Sequence, residues 1–286
     1  MNDQNRNLVV RIATSLLLLP LVLWLLALGG LPFALLISSA AAGCALELNR
    51  LFAHGHTPGQ PPGTEEHHRV LTFSAAASIA AAFLLPLLAE VPVPFLSVKV
   101  VFAGLVIASF ADALFFESDI ARTPTRVGIA VLGAAYPGLL LSALVRLRQL
   151  ERGAYWILLA LVVTWFNDTG AYFAGRAFGR HKLYPRISPS KTVEGAIGGL
   201  LASVAGAIAV QMLFLPRLPL WGAAVIGAGG AVFGPLGDLS ESMLKRAWGA
   251  KDSGHLLPGH GGLLDRIDAL LFNAPFVLFC ARLFAP

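Results

Sequence analysis

The sequence predicts an all-α, polytopic integral membrane protein of about nine transmembrane helices. Three observations carry that prediction. Of 286 residues, 56% are hydrophobic and only 13% are charged, where a soluble domain carries about 25% charged residues. Mean hydropathy is +0.72. Apolar runs recur at about 20 residues, the length a helix needs to cross a bilayer core, while the alternating strands of a transmembrane barrel are absent.

Nine spans follow in order: Leu8–Leu28, Pro32–Leu48, Val70–Leu88, Pro94–Phe110, Val127–Val145, Ala154–Phe173, Thr192–Phe214, Leu218–Phe233 and Leu264–Phe284. The first is preceded by Arg6 and Arg11 and resembles a secretion signal. Its apolar run is longer than a signal core, so it reads as a retained helix. At the end of the eighth, Gly234, Pro235 and Gly237 are expected to interrupt the helix just before Asp238. No internal repeat is visible. The chain reads as one transmembrane domain over 1–286, with N-terminal helices to 153 and the chemistry from 154 onward.

Nine spans put the N-terminus and the loops after spans two, four, six and eight on one side. That side holds Arg6, Arg11, Arg50, Arg69, Arg122, Arg126, Arg176, Arg180, Lys182, Arg186, Lys191, Lys245, Arg246, Lys251 and Arg266. The other holds Lys99, Arg146, Arg148, Arg152, Arg217 and Arg282. The excess of basic residues makes the first side cytoplasmic. The cluster Arg146–Arg152 runs against this bias and has no explanation in the sequence.

A formal net charge of +5 suits anionic headgroups or an anionic substrate, and no soluble basic domain exists to dock nucleic acid. Cys44 and Cys280 both lie in apolar segments and read as small core residues. The loop Phe52–Arg69, with His54, His56, His67 and His68, reads as a solvated linker in preference to a metal site.

Polar chemistry is concentrated in two segments, Asn167–Gly195 and Gly234–Asp268. Among the acids, Asp168 lies within an apolar run, where an ionised group is costly unless paired or bound to metal. Asp238 ends the eighth span. Asp265 and Asp268 stand three apart at the start of the ninth, and so share a helix face. Carboxylates converging there, together with substrate phosphates, are the usual way to hold Mg²⁺. Lys191, Lys245, Arg246 and Lys251 are interleaved with these acids, as simple topology anchors would not be. Ser188-Pro189-Ser190-Lys191-Thr192 puts hydroxyl and ammonium donors at a helix entrance, an anion site, although the same run also reads as a plain N-cap. Gly261 and Gly262 permit close backbone approach to phosphate, and His260 beside them can orient a phosphate or serve structurally. Acids that hold a hard cation, with bases that neutralise phosphate, define phosphoryl or nucleotidyl transfer. No Walker loop, kinase signature or serine-hydrolase elbow is present.

The run Ser242, Leu244, Lys245, Arg246, Lys251, Asp252, Gly254, Leu257, Pro258, His260, Gly261, Gly262, Leu263, Asp265, Arg266, Ile267, Asp268 resembles the signature of the phosphatidate cytidylyltransferases (CDP-diacylglycerol synthases). The segment Asn167–Tyr172 and the residues Ser188, Pro189, Lys191, Thr192, Glu194 and Gly195 are also similar to that family. Two positions differ from its commonest form, Ser190 where Gly is frequent and Val193 where Trp is frequent.

That resemblance implies transfer of CMP from CTP to phosphatidate with release of pyrophosphate, and Mg²⁺ with K⁺ as a second cation. It implies Asp238, Asp265 and Asp268 as metal ligands. Lys245, Arg246, Lys251, Asp252, His260 and Arg266 join them in the expected catalytic set. Asp168, Ser188, Lys191, Thr192, Ser242, Gly261 and Gly262 form the expected substrate-binding set. The expected setting is the bacterial cytoplasmic membrane with the site facing inward, and a homodimer is allowed by Gly195–Gly199 and Gly222–Gly230. The competing readings are a CTP-dependent polyprenol or lipid kinase, a cytidylyltransferase for another phospholipid, and an anion transporter.

Overall fold

The structure is a computed structural model that describes residues 3–54, 72–117 and 119–284; the histidine-rich loop lies largely outside them. The helices are α1 (Asp3–Leu28), α2 (Gly30–His54), α3 (Phe73–Glu90), α4 (Val98–Phe116), α5 (Thr123–Ala134), α6 (Leu140–Arg148), α7 (Gly153–Phe178), α8 (Val193–Phe214), α9 (Leu220–Ala247) and α10 (Leu264–Phe284). Among the described residues, eight helical spans are long and apolar enough to cross a membrane, and the shorter apolar helix Leu16–Leu28 makes the ninth. The all-α, multi-pass membrane architecture read from composition is therefore the one the chain adopts. A two-stranded antiparallel hairpin, β1 (Lys182–Tyr184) and β2 (Ser188–Thr192), is the addition.

The chain forms two compact units, one of Met1–Val145 with Lys245–Arg266, the other of Arg146–Leu244 with Ile267–Pro286. In the first, α3 packs against α2, α4 and α5. Its core is built from Leu85, Val101, Leu105, Ala130 and Ala134. Two buried polar groups inside it are matched in place: Ser78 Oγ donates to Ala130 O at 2.8 Å, and Asn49 Nδ2 donates to Ala45 O at 2.8 Å. α5 and α6 form one span joined by a π-helical turn, Ala135–Leu139. Pro137 within it has no N–H to donate, so the hydrogen-bond ladder must shift there.

The fifth span starts earlier than its apolar pattern suggests. Arg126, expected in a loop, lies in α5, and Arg122 lies in the 3₁₀ turn that leads into it. The reason is charge pairing. Arg126 Nη2 meets Asp112 Oδ2 at 3.1 Å and Nη1 meets Glu117 Oε2 at 2.6 Å, which makes a guanidinium tolerable on a half-buried helix.

In the second unit α7 and α8 lie against one another along a stripe of small residues. A Cβ on Gly170 would strike Ala202, and one on Gly198 would strike Ala174, so the two backbones touch only because neither position has a side chain. α9 and α10 meet in the same manner: added Cβ atoms on Gly229 and Gly237 would run into Phe276 and Asp268 O. The glycines that allowed a homodimer are thus used within one chain.

The expected break at Gly234–Gly237 does not occur. α9 runs unbroken through Pro235 to Ala247. In lipid a broken helix would expose peptide groups with no partner, and a single proline costs less than that. The helix therefore carries Asp238, Glu241, Ser242 and Lys245 at fixed angular spacing.

Candidate metal and phosphate site

In the second unit, Asp238 on α9 and Asp268 on α10 are brought together, and Glu241 joins them. Ligand oxygens of these three carboxylates all lie within 4.8 Å of one another. Glu241, three residues after Asp238, shares its face of α9 and is only 1% exposed. Carboxylates this close repel unless cations lie among them. Lys191 supplies one: its Nζ meets Asp238 Oδ2 at 2.5 Å, and Ser242 Oγ donates to Asp238 Oδ1 at 3.3 Å. Asp168, exposed on α7, lies within electrostatic reach of both Asp238 and Lys191. The donor set is all carboxylate oxygen, which suits a hard divalent cation such as Mg²⁺.

Lys191 reaches this group because β2 delivers it directly into α8. Thr192 ends the strand and caps the helix, its Oγ1 accepting from Gly195 N at 3.1 Å. Ser188 and Ser190 lie on the same strand with their hydroxyls 3.5 Å apart. The root of the hairpin is fixed by Glu194, which accepts from the Arg180 and His181 amides and pairs with His181 Nδ1 at 2.6 Å. The N-cap reading of Ser188–Thr192 is therefore true of Thr192, while Lys191 is drawn to Asp238.

The first unit holds the other half of the signature. Lys245, in the last turn of α9 and 9% exposed, donates to Asp265 Oδ1 at 2.6 Å. Asp265 Oδ2 accepts from Ser253 N at 2.9 Å, Ser253 Oγ at 2.9 Å and Gly262 N at 3.2 Å. The loop between them turns at Leu257–Gly261, where Gly261 has φ +84°, a conformation that favours glycine. Gly262 is required for a different reason: a Cβ there would overlap Ser253 Oγ. Arg266 folds back on the turn, its Nε and Nη2 donating to His260 O at 3.0 and 2.5 Å. His260 Nδ1 lies 3.4 Å from Pro258 O. Arg246 Nη1 donates to Ala250 O at 3.0 Å, and Lys251 and Asp252 are exposed.

Two residues in these groups were not singled out from sequence. Glu241 follows Asp238 at helical spacing, which was the available signal. Glu47, an acid inside an apolar span, accepts from Leu263 N, Leu264 N and Ser253 Oγ. The rule that flagged Asp168 applies to it equally.

Fold and site together define a multi-pass α-helical membrane protein that carries a carboxylate cluster and a lysine-containing signature suited to phosphate chemistry. The sequence profile of the cytidylyltransferase family matches residues 9–284, and the chain belongs to that family. A relative from Bacillus subtilis (strain 168) named phosphatidate cytidylyltransferase is 44% identical over 160 residues, 56% of this chain and 60% of that protein. Relatives of the same name from Staphylococcus saprophyticus and Staphylococcus haemolyticus are 46% identical over 148 residues and 49% identical over 127. The chain thus spans about half the length of the curated relatives it matches, 56% and 48% for the staphylococcal proteins.

Proposed function

We propose that the protein transfers CMP from CTP to phosphatidate, giving CDP-diacylglycerol and pyrophosphate. The observation that carries this reading is the joining of Asp238, Glu241 and Asp268 with Lys191, on elements that run directly into the signature Lys245–Asp268. A phosphatidate oxygen attacks the α-phosphorus of CTP. One P–O bond forms, the bond to the β-phosphate bridge breaks, and pyrophosphate leaves with the electron pair. A phosphate monoester already carries about −1.5 to −2 charge near neutral pH, so no strong general base is needed.

What the chain must supply is position and charge. Asp238, Glu241 and Asp268 would hold Mg²⁺. The resemblance also implies Asp265 as a ligand and K⁺ as a second cation, but both Asp265 oxygens are already held by Lys245, Ser253 and Gly262. Bound Mg²⁺ supplies charge neutralisation at the phosphates. Lys191, Lys245, Arg246 and Lys251 bind CTP phosphates or the lipid headgroup, with Ser188 as a further donor. Asp252, His260 and Arg266 shape the loop that presents them. The distribution of basic residues supports a site on the cytoplasmic face of a bacterial inner membrane.

The test is product analysis. Protein purified in detergent and given CTP, phosphatidate and Mg²⁺ is expected to form CDP-diacylglycerol and pyrophosphate in equal amounts. Release of CDP with phosphorylation of a lipid alcohol would assign a lipid kinase instead. Absence of any covalent product across lipids and cations would reject the reading.

A further inference from the structure

We propose that Glu47 is a positioning residue for the signature loop, acting from the second helix on Ser253, Asp265 and Lys245. Glu47 lies on α2, 206 residues before Ser253 in sequence, and is 1% exposed. A carboxylate buried so fully inside an apolar span is costly unless its oxygens are met. They are met by the signature. Oε1 accepts from Leu263 N at 2.9 Å, and Oε2 accepts from Leu264 N at 2.9 Å and from Ser253 Oγ at 3.2 Å.

Two roles follow. The first is a cap supplied from elsewhere in the chain. α10 begins at Leu264, and the residue before it, Leu263, has no side-chain acceptor for the amides that a helix start leaves over. Glu47 provides that acceptor, and its charge suits the positive end of the helix. The second role is to fix Ser253. Its amide donates to Asp265 Oδ2, its single hydroxyl proton is shared between Asp265 Oδ2 and Glu47 Oε2, and Asp265 Oδ1 accepts from Lys245 Nζ. The chain of contacts Glu47, Ser253, Asp265, Lys245 therefore sets where the ammonium group lies. The glycines of the loop fit this purpose. A Cβ on Gly254 would come within 2.8 Å of Glu47 Oε1, and one on Gly262 within 2.7 Å of Asp265 Oδ2.

The kinetic consequence rests on the reaction proposed above and assigns Lys245, among its four bases, to a CTP phosphate, so a loosened Lys245 weakens CTP without touching lipid binding. Glu47→Gln keeps one acceptor and turns an NH₂ toward the second amide. It is expected to raise KM for CTP at least fivefold while KM for phosphatidate stays within twofold. Ser253→Ala is expected to act in the same direction. The double variant is expected to be no more than twofold worse than the more impaired single, because both act through one path. A KM for CTP within twofold of wild type in Glu47→Gln would overturn the proposal.

Hydrogen exchange reads the same contacts without any activity. In Glu47→Gln, and in Glu47→Ala where it folds, the amides of residues 253–264 are expected to exchange at least tenfold faster, with those of α8 unchanged. Exchange in 253–264 within twofold of wild type, or an equal rise throughout the chain, would overturn the proposal. If wild-type protein forms no CDP-diacylglycerol, the reaction assignment fails and the exchange result alone decides the role of Glu47.

Discussion

Gly262 shows how a single missing side chain organises the signature. Its amide donates to Asp265, and the space where a Cβ would stand is taken by Ser253 Oγ. Gly262→Ala must displace the serine that holds Asp265, so turnover is expected to fall at least tenfold while the membrane helices stay folded. Gly104, with open space around its Cβ position, is the control: Gly104→Ala is expected to be neutral or stabilising by up to ~1 kcal/mol, since alanine is the better helix former. Turnover and thermal unfolding in detergent check both. At this scale most of the site was legible. Asp238, Asp268, Lys191, Lys245 and Asp265 stand out because charge is scarce in an apolar chain. Which acid meets which base was not legible, since Lys191 and Asp238 are brought together by tertiary packing. Glu47 looks, in sequence, like an isolated charge on a helix, and Glu241 is legible only when its helical spacing from Asp238 is followed.

Among the elements, the fifth span is the instructive case. Its start was read late because Arg122 and Arg126 look like loop residues, and hydropathy cannot register that Asp112 and Glu117 neutralise Arg126. Asp112 is 3% exposed on α4, so Arg126→Ala would leave a buried carboxylate without its counter-charge. Losing one partner of a buried pair costs about 3–5 kcal/mol. Thermal unfolding in detergent is expected to drop accordingly, and an unchanged midpoint would contradict the pairing. Burial pushes the Glu117 carboxyl up, but the Arg126 hydrogen bond, the Asp119 amide and the nearby guanidinium charges outweigh it and hold its pKa below the ordinary value. Glu117 therefore stabilises the fold above the ordinary glutamate range, and that contribution drains away as pH falls through the lowered value. The eighth span erred in the opposite direction. Proline and glycine signal a break in water, whereas in lipid the hydrogen-bonding demand of the backbone keeps α9 continuous.

For the molecule as a whole, helix count and class were legible because bilayer thickness fixes span length. The pairing of helices was not, because the small-residue stripes of α7 and α8 fit contacts within a chain or between chains equally well on paper. Basic-residue bias predicts the orientation. A cysteine placed at Arg186, in the β1–β2 hairpin, is expected to react with a membrane-impermeant thiol reagent in inside-out vesicles and not in intact cells. The native Cys44 and Cys280 are buried and should stay silent. Labelling in intact cells would invert the topology.

The proposed chemistry requires Asp238, Glu241 and Asp268 to hold the divalent ion. Mn²⁺ binding followed by electron paramagnetic resonance, with and without CTP, measures this on the intact protein. Wild type is expected to bind Mn²⁺ more tightly with CTP present, and Glu241→Gln and Asp268→Asn to weaken that binding at least tenfold. Unaltered Mn²⁺ affinity in both variants would show that the ion is held elsewhere.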